Sequence, residues 1–160
     1  MNRRTLVSLS MVLLTFAVVL VPTATPAQED AAAAPSLYQR LGGLAPISVV
    51  VSDFIDALVP DAELNANPAI DAARQRVPAA YLKYHVTAMV CQATGGPCTY
   101  HGRAMKATHA HLNITEKEWD RMVVILQEVL ARHSVPAGET GELLAIIDST
   151  KADIVQAPTI

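Results

Sequence analysis

LKYHVTAMVCQATGGPCTYHGRAMKATHAHLNI, residues 82–114, decides the fold. It sets two histidines, His85 and His109, on apolar helical faces either side of a Gly95-Gly96-Pro97 turn. Before the turn, Leu82, Val86 and Met89 accompany His85 on an apolar stripe. After it, Met105, His109 and Leu112 fall at i, i+4 and i+7 and share one side of a helix, while His111, two residues on, points nearly opposite. Only one member of that His-x-His pair can enter a core. Spacing alone favours a core or rim histidine with satisfied ring nitrogens. Two such histidines on independent helices nevertheless point to a metal, because neutral imidazole is the commonest protein ligand. His101 and His133 have mostly polar neighbours and read as solvated.

Outward from this stretch the chain reads as helices joined by short turns, an all-α pattern without period-two strands. Leu37 to Leu41 forms a helical turn ended by Gly42-Gly43. Pro46 opens a helix through about Leu58, with Val50, Phe54 and Leu58 as its buried stripe and Val51 and Ile55 beside it. Val59 to Ala73, with Pro60 and Pro68, reads as irregular, a loop with room for one helical turn. Pro78 starts the helix that runs to about Ala93 before Gly95-Gly96-Pro97 forces a stop, and a further helix covers roughly Ala104 to Leu112. Thr115 caps the next, with Glu118 three residues on and Ile114 poised to staple onto Trp119. That helix runs through Met122 and Leu130 to about His133, and a single last helix spans Glu139 to Val155.

Composition adds bounds. The chain has 160 residues, 51% of them hydrophobic, and a formal charge of −3. Such a length suits one domain, and no basic block argues for nucleic acid. Arg3-Arg4, the uncharged run Leu6 to Val21 and the small residues Thr25-Pro26-Ala27 read as an export signal over 1–27. A retained membrane anchor is the alternative. A linker over 28–35, a domain over 36–156 and a tail over 157–160 follow. An exported, periplasmic protein could bridge Cys91 and Cys98; otherwise Cys91 is a small buried hydrophobe and Cys98 a loop thiol. No Cys-x-x-Cys-His occurs, so covalent c-type haem attachment is not indicated.

The segments Ser36 to Gly43, Val50 to Phe54, Gly95-Gly96-Pro97, Tyr100 to Lys106, His109 and Leu112 to Thr115 together resemble the successive signatures of group I truncated haemoglobins. The resemblance implies a two-over-two helical sandwich around haem b. It makes His109 the proximal haem ligand. Where many relatives carry an oxygen-holding tyrosine this chain has Ile55, and where some carry glutamine it has Val86. A phenylalanine that usually packs on the ring is replaced near Asn67-Pro68. His85 coincides with a histidine that binds iron as sixth ligand in some members, so a resting bis-histidyl site is expected; a histidine turned to solvent or to a propionate is the alternative. Resemblance and helical phase together place Phe54, Ile55, Leu82, Val86 and Met89 on the distal side and Met105, Ile114, Trp119 and Met122 on the proximal side or haem edge. Tyr100, Arg103 and Lys106 are expected at the propionates.

Three functional classes follow. The first is a globin that binds oxygen, nitric oxide or carbon monoxide, with nitric oxide dioxygenase, nitrite reductase or peroxidase-type turnover left open. The second is a periplasmic electron-transfer or redox-sensing haem protein. The third is a cofactor-free or metal-binding helical interaction module. An electron donor is unidentified, and a monomer or weak dimer is expected.

Overall fold

The computed structural model describes residues 34–156. The signal segment, most of the linker and the tail lie outside the described residues. Nine helices occur among them: α1 (Leu37–Arg40), α2 (Leu44–Leu58), α3 (Ala62–Asn65), α4 (Pro68–Arg76), α5 (Ala79–Ala93), α6 (Met105–His109), α7 (Glu116–Arg132), α8 (Ala137–Asp148) and α9 (Lys151–Ile154). No strand accompanies them among the described residues.

Side-chain caps start α1, α3, α4 and α7. Ser36 and Gln39 form a capping box around α1, and Gly42 at φ 86° lets the chain leave it. Glu118 accepts from the Thr115 backbone N–H at 2.8 Å and also from its hydroxyl, which starts α7 at the expected residue. Ile114 and Trp119 then bury together with Ile154, as a staple does.

Two pairs of helices form the sandwich. α2 packs along α5, α7 along α8, and α2 also lies on α7. Ile47, Val51 and Ile55 of α2, between 2% and 5% exposed, join Leu82, Val86 and Val90 of α5. Leu126 and Leu130 of α7 pack with Leu37 and Leu143. α6 rests against α9. Between these clusters lies the cavity described below.

Four local expectations change. The core stripe of α2 is Ile47, Val51 and Ile55, while Val50, Phe54 and Leu58 are half-buried and face the cavity; α2 is apolar on two sides because it serves both a helix partner and a pocket. Residues 59–73 are largely helical. Asp61 accepts from Leu64 N–H at 3.0 Å to start α3, and Asn67 accepts from Ala69 N–H at 3.0 Å to start α4 with Pro68 in its first turn. Both are ordinary cap residues, overlooked because apolar period is weak there. α6 ends at His109 rather than Leu112, and Leu112 N–H returns to the His109 carbonyl. The last helix is broken in two: the hydroxyls of Ser149 and Thr150 donate to the carbonyls of Ile146 and Ile147, competing with the helical ladder.

Candidate functional site

A cavity of about 990 Å³ lies between the helices, at the upper end of the ~300–1,000 Å³ range of ligand pockets. Its wall is mostly apolar. Phe54 and Ile55 come from α2, Leu82, Val86 and Met89 from α5, Met105 from α6, and Trp119 and Met122 from α7. Ile114 lines it from the turn before α7. The sequence placed all of these at one pocket, and the structure brings them together.

Two different helices, α5 and α6, contribute the imidazoles. His109, the last residue of α6, lines the cavity and holds its Nδ1 2.8 Å from the Met105 carbonyl. That carbonyl can only accept, so Nδ1 carries the proton and Nε2 is left as a lone pair. Burial pushes the imidazole below its ordinary value; the Met105 carbonyl opposes this shift and Arg103 adds to it. The neutral, ligating form is thereby favoured. His111 also lines the cavity but is exposed.

His85 lines the cavity from the middle of α5. Three tyrosine rings surround it: Tyr81 at 4.2 Å between centroids, Tyr84 at 5.0 Å and Tyr100 at 6.0 Å. Its Nδ1 is buried without a hydrogen-bond partner. Ile55 and Val86 offer no donor nearby, so the polar groups of this wall are His85 and the tyrosines Tyr81 and Tyr100 that line the cavity beside it.

Around the mouth the outcome is mixed. Tyr100 and Arg103 line the cavity and are joined by a 3.0 Å bond from the Tyr100 hydroxyl to the Arg103 carbonyl. Lys106 is exposed and does not line it, because it sits one position past Met105 and projects from another side of α6. Sequence reasoning missed the wall made by Ile70, Ala73, Arg74 and Val77 of α4 and its end. The signal was Asn67-Pro68, a cap followed by a proline-started turn. His133 was read as solvated but pairs Nε2 with Asp53 at 2.8 Å; His101 is exposed.

Cys91 and Cys98 form a disulfide. It ties the end of α5 to the segment that leads through Tyr100 into α6. Cys91 is fully buried.

A bacterial-like globin family model matches residues 36–156. A group 1 truncated haemoglobin from Nostoc sp. (strain MUN 8820) is 31% identical over 121 residues, covering 75% of this chain and 97% of that protein. Another, from Chlamydomonas moewusii, is 24% identical over 145 residues, covering 86% and 81%. Among solved structures, the truncated haemoglobin of Tetrahymena pyriformis in its Fe(III) form superposes with a TM-score of 0.67 at 20% identity, over 76% of this chain and 98% of that one. The 2/2 haemoglobin of Synechococcus sp. PCC 7002, in the cyanomet state with covalently attached haem, gives 0.66 at 24% identity over the same shares.

Proposed function

Because the chain belongs to the bacterial-like globin family, as a haem-binding group I truncated haemoglobin, we propose that its cavity holds haem b between His109 and His85 and binds diatomic gases there. The observation that carries this reading is the His109 arrangement: Nδ1–H committed to the Met105 carbonyl, Nε2 free, and burial favouring the neutral ring. A carbonyl on the far nitrogen is the usual way a protein orients a ligating imidazole and raises its basicity.

The residues present fit the group. The cavity is about 990 Å³, its wall is mostly apolar, and His85 and His109 both line it from different helices. The unpartnered Nδ1 of His85 leaves that ring free to turn its other nitrogen inward. When bound, the haem supplies an iron that takes oxygen, nitric oxide or carbon monoxide reversibly. His109 orients and holds the cofactor. His85 would compete with an external gas for the iron, so that the gas binds in proportion to the open fraction, or, turned back, would donate a hydrogen bond to it. Ile55 and Val86 exclude water and provide no second donor.

A second reading, electron transfer without gas transport, is favoured by the same unpartnered His85, since a six-coordinate site needs no ligand exchange. The Cys91–Cys98 disulfide supports export, because such bonds persist in oxidising compartments.

Optical spectra test both readings. Purified protein with haem should show a low-spin six-coordinate ferrous form. His85→Ala should turn it five-coordinate with faster carbon monoxide binding. His109→Ala should abolish the Soret band, and His111→Ala should leave it unchanged. An unaltered spectrum in His85→Ala removes His85 as ligand; very slow carbon monoxide binding in the wild type favours electron transfer.

A further inference from the structure

Among the described residues, Arg74 is the one side chain on the cavity wall, apart from His85, whose polar atoms are buried without partners. It lies in the last turn of α4 and lines the cavity beside Ile70, Ala73 and Val77. Its Nε and Nη1 are both buried and have no hydrogen-bond partner. Nη2 only approaches Asp71 Oδ1, at 3.9 Å, beyond hydrogen-bond reach. A guanidinium is always charged, and unpaired donors withdrawn from water are costly unless a matching acceptor arrives.

We propose that Arg74 anchors a propionate carboxylate of the haem at the edge of the cavity, an assignment that rests on the haem reading above. A carboxylate is the acceptor for which the guanidinium fork is shaped, taking two parallel N–H bonds. Position favours the propionate over a small free anion deep in the pocket: the Arg74 side chain is 24% exposed, so it stands at the border between the apolar interior and water. That is where a cofactor with an apolar ring and two acidic arms must put those arms. Other cations on the wall are less suited. Arg40 is already held by Glu139, Glu142 and the Pro35 carbonyl, and Arg76 and Arg103 are exposed. Asp71, the carboxylate within 4 Å of Arg74 among the described residues, has a 45% exposed side chain that water already solvates.

The test compares haem with its dimethyl ester, whose arms carry no charge. Wild type, Arg74→Gln and Arg74→Lys are loaded with each, and transfer to an excess of a haem-scavenging apoglobin is timed. With haem, Arg74→Gln should release roughly ten- to a hundredfold faster than wild type, the span expected for charge-assisted hydrogen bonds. Arg74→Lys should fall between, since it keeps the charge and loses the fork. With the ester, all three should release at one rate. Equal release of haem by wild type and Arg74→Gln overturns the assignment, and so does a difference that persists with the ester. Azide titration of the ferric proteins separates the other source of anion: weaker azide binding in Arg74→Gln with unchanged haem release assigns Arg74 to the iron-bound ligand instead. Failure of the wild type to take up haem at all overturns the haem reading itself, a different outcome from haem held equally well without Arg74.

Discussion

Gly96 shows how much a single missing side chain matters near the pocket. Its neighbour Gly95 needs glycine for its backbone, at φ 85°. Gly96 needs it for space: a Cβ there would stand 2.5 Å from Tyr38 Cδ2, 2.7 Å from the Cys91 carbonyl oxygen and 2.8 Å from Cys91 Sγ. The backbone oxygen cannot withdraw without moving the end of α5. Gly96→Ala should therefore lower the unfolding free energy by roughly 1–3 kcal/mol, the usual cost of overpacking. Gly138→Ala is the control, because nothing lies within 4 Å of its added methyl, and should be neutral or stabilising by up to about 1 kcal/mol. Urea denaturation of both variants decides it; an undiminished midpoint in Gly96→Ala would mean that the turn yields. The Gly-Gly-Pro turn was legible in the sequence. Which glycine answers to contact was not, because Tyr38 is brought there by folding.

At the scale of elements, Asp61 does two jobs. It caps α3 through Leu64 N–H, and it accepts from Arg121 Nε at 3.0 Å and Nη2 at 2.7 Å, pinning α3 to α7. The Arg121 bonds are the main cause that holds its carboxyl below the ordinary 3.8, with the Leu64 N–H assisting against burial. A depressed carboxylate favours the native state fully above the ordinary value and loses that contribution as pH falls through the native one. Stability should thus drop as pH goes below 3.8, more steeply than in Asp61→Asn, which retains a capping oxygen and carries no titrating proton. Asp61→Ala should lose about 1 kcal/mol more than Asp61→Asn at neutral pH, the worth of a cap. Parallel acid limbs in the wild type and Asp61→Asn would show that the ion pair is not linked to folding. This cap and that of Asn67 turn an apparently irregular stretch into two helices, and the second of them carries Arg74.

Across the molecule, His85 stands on the long helix α5 and His109 at the end of the short α6, and one covalent bond links the end of the first to the approach of the second. The Cys91–Cys98 bridge closes a loop with a sequence separation of 7, for which chain entropy gives roughly 2–3 kcal/mol. Cys98→Ser should reduce the unfolding free energy by about that amount and leave Cys91 packed in place. The same midpoint with and without the bridge would show that packing alone holds the α5 end to the α6 approach.

What the sequence by itself determined is what one or two helical turns contain: the capping box at Thr115, the break at Gly95-Gly96-Pro97, and the phase that puts Met105 and His109 together, where the Met105 carbonyl meets His109 Nδ1 four residues on. Such contacts depend on neighbours in the chain and survive any rearrangement of the whole. Tertiary structure alone decided which side of α2 meets α5 and which meets the cavity, that His133 reaches Asp53 across 80 residues, and that Arg40 is taken by α8. It also decided that Arg74 is left with buried, unpartnered donors at the cavity edge. Those outcomes depend on how separate helices settle against one another, and a local spacing rule holds no record of it.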